Sequence, residues 1–97
     1  MQQAVRIEPK DSDARANLGL VLLRLRKVSE AIEQLHKALH LNPNNAKAHN
    51  NLGLTLLVTG RARKSIPEFE TALRLKPTLE IAGKNLRRAQ AKLESQR

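Results

Sequence analysis

His36 and His40 stand four residues apart, and two imidazoles at that spacing share one face of a helix, where they could chelate a metal. No glutamate completes an HExxH arrangement around them, so they are expected to be solvated surface histidines rather than ligands. The chain has no cysteine, which removes thiolate ligands and disulfides. It also lacks a glycine-rich phosphate loop, and it offers no matched nucleophile, base and orienting group. Neither catalysis, nor a cofactor, nor a metal is therefore expected. Three asparagines are more suggestive. Asn17, Asn51 and Asn85 recur at a constant interval of 34 residues. A carboxamide both donates and accepts, so such a row could pair with the N–H and C=O groups of an extended peptide. The alternative is that each asparagine bonds locally.

The elements that must carry these residues follow from sliding the sequence along itself. Residues 12–45 and 46–79 are identical at twelve of thirty-four positions, including Asn-Leu-Gly-Leu at residues 17–20 and 51–54. Pro9, Pro43 and Pro77 fall into the same register, as do Ala4, Ala38 and Ala72. Within each unit the apolar spacing is helical: Ala14, Leu18, Val21, Leu22 and Leu25, then Ala31, Ile32, Leu35, Ala38 and Leu39. The second unit repeats the pattern with a turn at Gly60, and Pro67 implies either a late start near Ser65 or a bend in its second helix. Asp11 or Ser12, Asn44 and Thr78 are expected to cap helix N-termini. Phe69 is the single aromatic residue, so the core must be built mainly from Leu, Ile, Val and Ala. His49 is expected to be a packing residue.

These units resemble tetratricopeptide repeats. The likeness rests on the 34-residue period, Leu18-Gly19 and Leu52-Gly53, the small residues Ala31/Ser65 and Ala38/Ala72, and the closing Pro43 and Pro77. It implies an all-α fold, an α-solenoid wound as a right-handed superhelix of helix-turn-helix repeats. The expected organisation is a remnant of a preceding second helix over residues 1–11, repeat units over 12–45 and 46–79, and a capping helix over 80–97. The chain then reads as the last two repeats and cap of a longer array. Departures from the pattern are Arg15 and His49 where an aromatic is usual, and Arg26 where the turn glycine belongs. A left-handed Arg26 would cost about 1 kcal/mol. Arg87 replaces the helix-packing glycine and Gln90 an aliphatic position, as suits the polar outer face of a terminal helix.

The resemblance further implies a concave groove lined by the first helix of each unit. It would present Asn17, Leu20 and Arg24 from unit one, Lys47, Asn50, Asn51 and Leu54 from unit two, and Lys84, Asn85 and Arg88 from the cap. The asparagines would form a ladder similar to that of the repeat arrays of O-linked N-acetylglucosamine transferases. The carboxylate clamp of co-chaperone repeats is absent, because Ala16 and Leu20 stand where its first Lys and Asn belong.

The chain has 97 residues with 18 Lys and Arg against 9 Asp and Glu, a formal net charge of +9. That excess favours an acidic, extended protein or peptide partner, with Asp13 the one acid expected in the groove. Single-stranded nucleic acid usually needs aromatic stacking platforms, and this chain has none to spare. No apolar run approaches the roughly 20 residues that span a bilayer, and no signal peptide is evident, so the default compartment is cytoplasmic. The expected function is a non-enzymatic interaction module. Two alternatives remain. The repeats could stack within or between chains, with a homo-oligomer forming through Val5, Ile7 and the open side of unit one. They could also be the repeat region of a larger enzyme such as a glycosyltransferase.

Overall fold

The computed structural model describes residues 9–95, and over these it contains five helices: α1 (Pro9–Arg24), α2 (Val28–Leu41), α3 (Ala46–Val58), α4 (Ala62–Leu75) and α5 (Glu80–Ser95). Neighbours in sequence pack as pairs, α1 on α2 and α3 on α4. Helices α1, α3 and α5 also touch one another in a row. The result is an all-α solenoid of two layers, in which α1, α3 and α5 form one surface and α2 and α4 back it. The expected remnant over residues 1–11 falls mostly outside the described residues, as do Val5 and Ile7, whereas Pro9 to Asp11 belong to α1.

Each helix pair closes around a position without a side chain. A Cβ on Gly19 would lie 2.6 Å from Leu35 Cγ, and one on Gly53 would lie 2.7 Å from Phe69 Cε1. Only hydrogen at these sites lets the second helix seat its largest side chain against the first. Leu35 and Phe69 are accordingly fully buried. Alanines do the same elsewhere: Ala16, Ala38 and Ala48 join Leu35 and Leu52 in one cluster, while Ala46, Ala72 and Ala82 form another at the last junction. The same position on α5 is Arg87, exposed, where no second helix follows.

The α1–α2 and α3–α4 turns share one C-cap geometry, with very different residues. Arg26 N–H donates to Leu23 O and Lys27 N–H to Leu22 O; in unit two Gly60 N–H donates to Leu57 O and Arg61 N–H to Leu56 O. This 5→2 and 6→1 pairing is the Schellman motif, which needs a left-handed residue after the cap. Gly60 adopts φ +87° without penalty, but Arg26 holds φ +66° and is the only non-glycine described with positive φ.

Four cap and boundary expectations are corrected. Asn45, not Asn44, caps α3, because its Oδ1 accepts from Ala48 N–H at 3.1 Å. Asn44 instead donates its N–H to Asn42 Oδ1 in a side-chain turn. Ser12 lies inside α1, where its hydroxyl donates to Ala38 O, and α5 starts at Glu80, so Thr78 is one residue too early to cap it. Helix α4 begins at Ala62, well before Ser65, and carries exposed Pro67 in its interior.

Candidate functional site

The row α1–α3–α5 leaves a groove along its outer surface. Its centre is a cavity of about 370 Å³. Asn17, Leu20 and Arg24 come from α1, Lys47, Asn50, Asn51 and Leu54 from α3, and Asn85 and Arg88 from α5. Every expected binding residue except Lys84 therefore lines it. Lys84 is exposed on α5 but does not border this cavity. Leu79, in the turn before α5, and Ile81 complete the wall. Leu79 sits outside the first-helix positions that the repeat pattern marks as groove-lining, and sequence reasoning passed over it.

The asparagines differ sharply in environment. Asn17 is exposed, and among the described residues its amide has no partner. Asn51 is 7% exposed and donates through Nδ2 to Ala16 O at 3.0 Å. Asn50 Nδ2 approaches Asn51 Oδ1 at 3.4 Å, and Asn85 Nδ2 donates to Asn50 Oδ1 at 3.0 Å. Arg88 Nη1 then donates to Asn85 Oδ1 at 3.3 Å. These links make one polar chain running from the α1 backbone through α3 to α5. It ties the three helices together and holds Arg88 over the groove. A carboxamide can make four hydrogen bonds, so Asn51 and Asn85 each keep one N–H and one lone pair uncommitted. At 2% exposure, Asn85 sits in the floor rather than on the surface.

The electrostatics are one-sided. Arg24, Lys47 and Arg88 border the central cavity, and no carboxylate does. Asp13, the acid expected there, is turned to the repeat junction, where its Oδ1 accepts from Asn45 Nδ2 at 2.9 Å. The same Asn45 amide donates to Ser12 Oγ at 2.8 Å, so one side chain both caps α3 and ties it to α1. Basic groups continue at both ends of the groove. A cavity of about 540 Å³ lies at the turn end of α1 with Arg24 and Arg26 on its rim, and one of about 360 Å³ beside α5 carries Arg88 and Lys92. Arg26 was read from sequence only as a turn residue; its place on the groove depends on the left-handed turn.

The histidines resolve differently from one another. His36 and His40 are exposed on the outer face of α2, beside a cavity of about 560 Å³ whose other walls include Arg15 and Lys37. Arg15 donates to Gln34 Oε1 at 2.8 Å, and Lys37 lies 3.7 Å from Glu33. Among the described residues no group of three or more His, Cys, Asp or Glu is placed to hold a metal. His49 is half-buried between the two helices of unit two. Its Nδ1 lies 2.9 Å from Glu68 Oε1 and its Nε2 lies 2.9 Å from Pro43 O. The hydrogen bond with Glu68 raises its pKa above the usual 6.5, burial opposes that, and the Pro43 carbonyl adds to the rise. Packing at this position is thus polar, and the Arg15–Gln34 contact occupies the same place in unit one.

Comparison with known proteins agrees with this architecture. A family model described as tetratricopeptide repeat matches residues 1–35 and 16–80. No curated protein matches the chain. Among solved structures, a mutant of the Thermobaculum terrenum O-GlcNAc transferase superposes with a TM-score of 0.77 at 32% identity, over 86% of this chain and 16% of that one. YrrB, described as a TPR protein with an unusual peptide-binding site, superposes with a TM-score of 0.74 at 26% identity, over 86% of this chain and 43% of its own. The chain thus covers less than half of either.

Proposed function

Because the chain belongs to the tetratricopeptide repeat family, we propose that it is a non-catalytic module that holds an extended, acidic peptide segment along the α1–α3–α5 groove. Repeat units over 12–45 and 46–79 and a cap over 80–97 supply the surface. The observation that carries the reading is the groove's charge: Arg24, Lys47 and Arg88 line its centre with no carboxylate among them. Such a field steers an acidic segment toward the groove and rejects a basic one. The free amide of Asn17 and the uncommitted valences of Asn51 pair with the peptide backbone. Asn50 and Asn85 hold the floor and Arg88, and Lys84 adds positive charge outside the central cavity. Leu20 and Leu54 give the peptide an apolar seam to lie on.

The test is titration of a fluorescein-labelled acidic decapeptide against the protein and its Arg24→Ala/Arg88→Ala variant, at two salt concentrations. The expected result is saturable binding that weakens with salt and falls at least about tenfold in the variant. Equal affinity for protein and variant, or for an equally long basic peptide, refutes the reading. Asn17→Ala isolates the amide contribution, because that side chain bonds to nothing else described and its loss leaves the fold intact.

A second reading has its own observation. Leu18 and Val21 on one face of α1, and Leu25 in the turn just after it, are 43%, 50% and 60% exposed. Of their counterparts one repeat on, Leu52 is buried against Ala16, Leu35 and Ala38 of the preceding unit and Thr55 is buried, while Thr59 is exposed. In a homo-oligomer two such faces cover each other, with Asp11 near one end of α1 and Arg24 at the other favouring antiparallel pairing. Light scattering across concentration checks this, with Val21→Glu as the disrupting variant. A strict monomer at every concentration rejects it.

A further inference from the structure

We infer that the turn end of the groove is an anchor pocket for one large apolar side chain of the acidic peptide, which gives the bound segment a fixed register and direction. The inference rests on the groove reading above and adds a position-specific requirement to it.

The two junctions of the groove are not equivalent, although the repeats are. At the first junction the facing walls are Leu20 and Leu23 of α1, Val28 at the start of α2, and Leu54 and Val58 of α3. At the second junction, the residues 34 positions after Leu54 and Val58 are Arg88 and Lys92. The first junction therefore has five apolar wall residues beneath a basic rim, whereas the second has Arg88 and Lys92 on the α5 wall, where the first has Leu54 and Val58. The first junction's volume of about 540 Å³ is within the range of sites that bury whole small ligands, ample for one aromatic or long aliphatic side chain. Val58 remains 54% exposed at its mouth, one of only five large apolar side chains so exposed among the described residues. Three of the others are Leu18, Val21 and Leu25 on and just after α1, and the last, Ile81, lies farther along this same groove.

The rim supplies the second, independent observation. Arg24 and Arg26 border the pocket with no acid beside them. Arg26 holds a left-handed backbone where the second repeat places Gly60. The turn requires a left-handed residue at this position, and glycine would hold it without strain. Here the strained residue puts a guanidinium at the edge of an apolar pocket. That combination fits a carboxylate flanking an apolar side chain, and it excludes a purely polar acidic tract as the preferred ligand.

The junctions lie one helix apart. Packed helices sit about 10 Å from axis to axis, and an extended chain covers that span in roughly three residues at about 3.3 Å each. The preferred segment therefore carries its apolar residue in the α1–α3 pocket and acidic residues about three positions away, under Arg88 and Lys92.

The experiment uses two labelled acidic decapeptides of equal charge, one with a central Phe and the other with Ser in its place. The Phe peptide is expected to bind about tenfold more tightly. Val58→Ser should bring that ratio close to one, and replacing the acids three positions from the Phe with Ser should weaken binding several-fold. Equal affinity of the two peptides for the unsubstituted protein overturns the anchor and leaves the groove reading standing. Binding of neither peptide overturns both.

Discussion

Replacing Arg26 with glycine should make this protein more stable. The residue holds φ +66° and closes the α1–α2 turn through two backbone hydrogen bonds that any residue could make. A side chain in left-handed conformation costs about 1–2 kcal/mol because Cβ crowds the following carbonyl. Glycine removes that strain but adds about 0.4–1 kcal/mol of unfolded-state entropy to be lost. The exposed Arg26 side chain has no hydrogen bond or ion pair among the described residues, so little else is forfeited. The net gain is on the order of 0.5–1 kcal/mol, or roughly 2–8 °C in Tm for a domain this size. Urea denaturation followed by helical circular dichroism measures it. The mirror substitution, Gly60→Ala, supplies the control. That glycine has nothing within 4 Å of an added Cβ, so the change reports backbone strain less the unfolded-state entropy gain, with no steric clash. An Arg26→Gly variant no more stable than its parent, together with a neutral Gly60→Ala, would falsify the strain argument. If Arg26 serves the anchor pocket, the stabler variant should also bind the Phe-containing acidic peptide more weakly.

Other outcomes follow from the same packing. Gly53→Ala should destabilise by about 1 kcal/mol, since overpacking against the Phe69 ring outweighs the gain in helix propensity; Gly83→Ala, with open space around it, should stabilise by about 0.8 kcal/mol. Thermal melts of the two variants side by side check the opposite signs. Asn50→Ala strips partners from Asn51 Oδ1 and Asn85 Nδ2 and should cost about 1–3 kcal/mol in chemical denaturation. For His49, the folded pKa lies above the unfolded value of 6.5. Its protonated contact with Glu68 thus contributes fully below about that pH, and the contribution is lost as pH rises through the folded value. The stability difference between the protein and His49→Gln should accordingly be largest near pH 5.5 and shrink toward pH 8; a difference that does not change with pH counts against the ion pair.

Much of the fold was legible because a repeat encodes the same local instructions twice. The 34-residue period, the helical spacing of Leu and Ala, Gly60 at the second turn and the polar α5 face all act within a turn or two of chain. Gly19 and Gly53 could be read as close-approach sites because nothing else justifies glycine inside a helix. The groove-lining residues came instead from the resemblance to tetratricopeptide repeats, which says which face of each first helix is concave.

What each side chain does there was decided only by tertiary structure. Asn17, Asn51 and Asn85 occupy the same repeat position, yet Asn17 is open while the other two are buried and bonded across helices. The difference lies in what stands before them. Asn51 meets the Ala16 carbonyl and Asn85 meets Asn50, each 35 residues earlier, whereas no described helix precedes Asn17. Asn45 likewise caps α3 in preference to Asn44 because Ser12 and Asp13 wait for its amide on another helix. Sequence alone determined the period, the helices and the face they share. Which polar groups on that face remain free for a ligand was set by partners a full repeat away, where local spacing carries no information.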